Sequence, residues 1–132
     1  MLIHPLVVHL PVALWLTSAF FDLLAWWRED PFFRRAAYWL VGLGILGAAV
    51  SIAFGWVDFL AAEAQGVGPG LLIRHRVHSL VAYCASASYL GNFAWRWRTD
   101  NRLGKPLLAL SFLGAILIAI TGYLGGQLRN IM

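Results

Sequence analysis

Four long apolar runs, about 5–27, 36–60, 71–95 and 107–128, are divided by short polar breaks. A membrane-crossing helix needs roughly 20 apolar residues at 1.5 Å rise each, and every run reaches that length. The breaks carry turn chemistry: Arg28-Glu29-Asp30-Pro31 after the first, Gln65-Gly66-Val67-Gly68-Pro69-Gly70 after the second, and segment 98–106 after the third. Short connections make neighbouring helices antiparallel. The pattern predicts an all-α bundle of four transmembrane helices forming one membrane domain over residues 1–132. The first run is too long for a signal core and lacks a basic lead-in, so it is read as the first span.

Composition agrees. Of 132 residues, 61% are apolar and 12% charged, against roughly 25% charged in an ordinary soluble domain. The net charge of +4 would suggest nucleic acid in a soluble protein. Here the cations stand at the ends of apolar runs, so they orient the chain, and no nucleic-acid partner is expected. Arg28, Arg34, Arg35, Arg96, Arg98, Arg102 and Lys105 lie on one side, and Arg74, Arg76 and Arg129 on the other. The positive-inside rule places both termini and the middle loop outside the cytoplasm, in a bacterial inner membrane. Trp26, Trp27, Trp39, Trp95 and Trp97 gather on the basic side as an interfacial belt. The single cysteine, Cys84, reads as a small buried filler.

The halves, about 1–66 and 67–132, resemble each other. His9 and His78 are 69 residues apart, Trp26 and Trp95 also 69, and Gly55 and Gly122 67. This suggests two helical hairpins related by a pseudo-two-fold axis along the membrane normal. Gly47, Ser51 and Gly55 in the second helix, with Gly122 and Gly126 in the fourth, form small-residue stripes for close helix approach. The G-x-G-x-x-G spacing of Gly42, Gly44 and Gly47 lacks the strand and helix start a dinucleotide site needs.

Candidate chemistry rests on the histidines. By this topology His4, His9, His75 and His78 all lie at the end opposite the basic belt. His75 and His78 are three positions apart, on one helical face. Imidazole is a common metal ligand and binds haem iron axially. His9 and His78 sit at matching depth and form the repeat-related pair, so they are the expected metal ligands. His4 and His75 would contact the cofactor's edge, bind a second metal, or ligate instead. Asp58 comes to the same level, where it would either orient a ligand imidazole or pair with Arg74 or Arg76. A lone interfacial histidine needs no function, but four at one end and none at the other favour a cofactor. Asp22, near the basic end, is expected to pair with Arg28, Arg34 or Arg96, and Pro11 to kink the first helix.

The opening His4-Pro5-Leu6-Val7-Val8-His9-Leu10-Pro11 resembles the hallmark of domain-of-unknown-function family 2231, bacterial membrane proteins. Further matches are Phe21-Asp22-Leu23-Leu24, Gly55-Trp56-Val57-Asp58, a histidine opening the third helix, and Gly122-Tyr123-Leu124-Gly125-Gly126. The resemblance covers essentially the whole chain and implies a four-helix membrane fold. Some relatives are joined to Rieske-type or cytochrome c-type domains, which implies electron transfer, and His4, His9 and Asp58 carry over by the motif. The family's helix-3 histidine is followed four residues later by asparagine. Here Ser79 follows His75 and an additional histidine stands at 78, so either histidine is the family position.

The resulting expectation is a b-type cytochrome-like carrier binding haem b between helices 1 and 3, an electron carrier rather than a stand-alone enzyme. Its partners would be the lipid bilayer, quinone or a periplasmic redox protein, with a homodimer or larger complex open. The alternatives are a histidine-bound copper or zinc protein, and a non-catalytic small subunit of a larger membrane complex.

Overall fold

The structure, a computed structural model, describes residues 7–66, 68–102 and 104–131, with side chains to Gln127. Four helices account for nearly all of it: α1 (His9–Arg28), α2 (Pro31–Ala64), α3 (Pro69–Arg98) and α4 (Lys105–Ile131). The boundaries follow local chemistry. Glu29 turns left-handed (φ 55°) and returns its N–H to Ala25, closing α1. One residue later the Asp30 carboxylate accepts the Phe32 N–H at 2.9 Å, with Pro31 in the first turn of α2. Pro69 likewise stands in the first turn of α3, where the preceding Gly68 offers no side-chain cap.

Helices α1, α2 and the 105–127 stretch of α4 are long and apolar enough to cross a membrane. Helix α3 has the length, 30 residues, but is less apolar, in part because it supplies four buried polar side chains, more than any other helix among the described residues: His75, His78, Asn92 and Arg96.

Each helix neighbours two others in a closed ring. Packing is densest within the hairpins α1–α2 and α3–α4, looser between α1 and α4, and sparsest between α2 and α3. Helices α1 and α3 therefore stand diagonally. Trp15 and Tyr89 bridge that diagonal, with rings stacked 4.2 Å apart at 9°. Trp15 Nε1 donates to the Val41 carbonyl (3.2 Å) and the Tyr89 hydroxyl to the Trp15 carbonyl (3.4 Å). Glycines make room for these rings. A Cβ on Gly44 would overlap the Trp15 indole, and one on Gly114 would stand 2.9 Å from the Tyr89 ring. Gly47 lies against Leu10 and Pro11. The G-x-G-x-x-G spacing is thus a helix-packing device.

Pro11 is a buried residue near the start of α1, with Gly47 of α2 against it. Two expectations change. Cys84 is exposed on the outer surface of the bundle, because the inward face of α3 is set by His78, Ala85, Tyr89 and Asn92. Of the proposed stripe in α4, Gly126 touches nothing within 4 Å; the tight positions are Gly114 and Gly125.

Candidate functional site

Two polar centres occupy opposite ends of the bundle. At the basic end, Asp22 (α1) and Arg96 (α3) form a salt bridge with both side chains fully buried. Ser111 (α4) donates to Asp22 Oδ2 at 2.6 Å and accepts from Asn92 Nδ2 at 2.9 Å. Arg96 Nε donates to Asn92 Oδ1 (2.6 Å) and Nη1 to Asn101 Oδ1 (3.2 Å). Asn101 in turn donates to the Arg34 carbonyl of α2 (2.8 Å). One network thereby ties all four helices. Of the three cations considered for Asp22, Arg96 is the partner. Asp22 Oδ1 is buried with no hydrogen-bond partner among the described residues. The side chains of Asp22, Asn92, Arg96, Asn101 and Ser111 interlock as donors and acceptors and tie the helices together at this end.

At the other end, the inward face of α3 carries His75 and His78, 8% and 4% exposed. Their rings are 6.3 Å apart and nearly perpendicular. Phe59 of α2 lies 4.9 Å from the His75 ring, and Ser79 Oγ is 3.5 Å from His75 Nδ1. Gly125 lets α4 approach His78: a Cβ there would stand 3.1 Å from Cε1. Both imidazoles line a cleft of about 440 Å³ between α2 and α3, walled by Gly55, Trp56, Phe59 and Tyr83, with Glu63 and Arg76 at its rim. The sparse α2–α3 contact leaves this cleft open to the side.

The other histidines are placed differently. His4 lies outside the described residues. His9 shares the depth of His78: Asp22 and Asn92 meet at Ser111, and each histidine stands roughly 20 Å further along its helix at 1.5 Å per residue. Yet His9 is exposed, on the face of α1 away from Pro11, Trp15, Ser18 and Asp22, and the stacked Trp15 and Tyr89 fill the diagonal below. His9 and His78 are level but not brought together. Asp58 is half-buried on the inward stripe of α2 with Ser51 and Ala62. It pairs with neither Arg74 nor Arg76, since Asp22–Arg96 is the one salt bridge among the described residues. Within those residues no three of histidine, cysteine, aspartate and glutamate converge on a metal-sized space.

Sequence reasoning missed the cleft itself and the aromatic wall that α2 contributes. Trp56 and Phe59, spaced i, i+3 at the histidine level, were the available signal.

An all-helical bundle with polar groups turned inward and large apolar residues outward defines an integral membrane protein. The chain belongs to the family described as predicted membrane protein (DUF2231), which it matches over residues 2–132. No curated protein and no solved structure matches it significantly.

Proposed function

We propose that this protein is a membrane-embedded, b-type cytochrome-like electron carrier whose haem b lies in the α2–α3 cleft at the histidine end. One observation carries the reading: two buried imidazoles, one helical turn apart, open on a single aromatic-walled cleft. Pockets of about 300–1,000 Å³ with mostly apolar walls and a few placed polar groups are typical of cofactor sites, and the cleft falls in that range. The residues fit the group. His75 or His78 would hold the iron from one side, since two imidazoles a single turn apart on one helix cannot reach opposite faces of one ring; Phe59 and Trp56 would cover the ring, and Gly55 gives space on α2. When bound, haem supplies a one-electron centre whose potential follows from its axial ligand and burial. The site expected between α1 and α3 fits less well, because His9 faces outward and Trp15 and Tyr89 occupy the diagonal. A bare copper or zinc site would need donors beyond His75 and His78.

The setting is a bacterial inner membrane with the histidine end toward the periplasm, supported by the excess of basic residues at the other end. The electron partner is then quinone in the bilayer or a periplasmic redox protein. A reduced-minus-oxidised spectrum of the detergent-extracted protein, expressed with ample haem supply, tests the proposal. Haem bands should appear, and His75→Ala with His78→Ala should abolish them. A preparation without haem absorption overturns it.

A further inference from the structure

The α2–α3 cleft is graded along the bundle axis. At its end nearest the helix termini stand Glu63, His75, Arg76 and Ser79; at its deep end stand Ile52, Ala82 and Tyr83. From Arg76 to Tyr83 is seven residues, about 10 Å of helix at 1.5 Å each. The deep end thus lies well inside the hydrocarbon layer, while the rim lies near the interface. Trp56, Leu80 and Tyr83 along the open side are 52%, 63% and 37% exposed, an apolar mouth suited to acyl chains more than to water. A ligand here must be apolar in body and polar at one edge, and must enter sideways from the bilayer. The sign of that edge follows from the rim. The exposed Arg76 guanidinium makes no ion pair among the described residues, and Arg74 precedes it by two positions; Glu63 stands across the cleft. An arginine at an interface matches a carboxylate in geometry as well as charge.

We infer that the cleft selects a planar amphipathic ring with an acidic edge, and that Arg76 is the positioning residue that holds this edge at the interface while the ring reaches toward Tyr83. The inference deepens the proposed function, since haem is one member of the class. It stands apart from that reading in needing no iron.

The test uses the full-length protein in detergent, titrated with protoporphyrin IX and with its dimethyl ester, followed by porphyrin fluorescence. The free acid should bind about tenfold or more tighter than the ester, the effect expected of one charge-assisted contact. Arg76→Gln should erase that preference, and Glu63→Gln should strengthen acid binding. Ala82→Trp, filling the deep end, should weaken both ligands equally; an unchanged elution volume and far-ultraviolet circular dichroism show that each variant is folded. Equal binding of acid and ester, or a preference that survives Arg76→Gln, overturns the inference. Haemin distinguishes the two proposals: His75→Ala with His78→Ala should remove its ligated spectrum yet leave protoporphyrin IX bound. Protoporphyrin bound without any haemin ligation would refute the haem function alone, and no porphyrin binding at all would refute both.

Discussion

Replacing Asp22 by asparagine keeps the shape of the basic-end network and removes its negative charge. Two accounts of what the network contributes then diverge. If only hydrogen bonding matters, Arg96 makes four side-chain contacts, to Asp22, Asn92, Asn101 and Ser111. Polar contacts between membrane helices average about 0.6 kcal/mol, so the whole set would be worth roughly 2.4 kcal/mol and the one altered bond far less. If the charge pair dominates, Asp22→Asn strands a fully buried guanidinium, and breaking one side of a buried ion pair typically costs about 3–5 kcal/mol. The complete burial of both side chains favours the second account. Equilibrium unfolding in mixed detergent and sodium dodecyl sulfate micelles, followed by Trp fluorescence, should therefore show Asp22→Asn destabilised by about 3–5 kcal/mol. The double variant Asp22→Asn/Arg96→Met should recover part of that loss, because no charge is then left unpaired. A single variant within about 1 kcal/mol of the parent, or a double variant as poor as the sum of the two singles, would falsify the electrostatic account.

The aromatic bridge gives further expectations. Gly44→Ala forces the Trp15 indole aside and should cost about 1–3 kcal/mol in the same assay; adding Trp15→Phe, which removes the crowded nitrogen, should make the pair less harmful than the two changes summed. Gly114→Ala crowds Tyr89 and should lower stability by a similar amount, about 1–3 kcal/mol, with a Gly126→Ala control unchanged. Cys84, exposed among apolar side chains, should react with a membrane-permeant apolar maleimide and resist a charged one, and equal labelling by both would place that face of α3 in water. Gly125→Val should displace the His78 ring and lower haem occupancy without changing elution volume, and undiminished haem bands would show that α4 does not position His78.

The number, order and direction of the helices were legible because each depends on apolar run length and on turn residues local in sequence. The hydrophobic pattern also placed three histidines correctly in depth, since depth is counted along one helix. It could not say which way each side chain faces across the bundle. His9 and His78 have the same sequence credentials, yet one is exposed and the other buried. The difference comes from the rotation of α1, which is fixed by Trp15 seating against Gly44 and by Asp22 meeting Arg96, contacts 29 and 74 residues apart. The Asp22 pairing was visible as three candidates, and only the depth of Arg96 relative to Ser111 selects among them. The cleft was illegible for a related reason. A gap between helices is a property of how poorly two faces match, and neither Trp56 nor His75 alone announces it. Cys84 shows the reverse error: apolar neighbours suggest burial, but in lipid solvent an apolar residue is as much at ease outside the bundle.

Because the ionic network pins all four helices at one end and the α2–α3 seam is slack at the other, the bundle is built like a tuning fork. Thermal excursions grow with distance from the pin, so backbone amides of α2 near Phe54 should open more readily than those near Val41, although both lie equally far from the nearer end of the helix. A guest wedged between the prongs would stiffen them locally while the stem, already locked by Asp22 and Arg96, would register nothing.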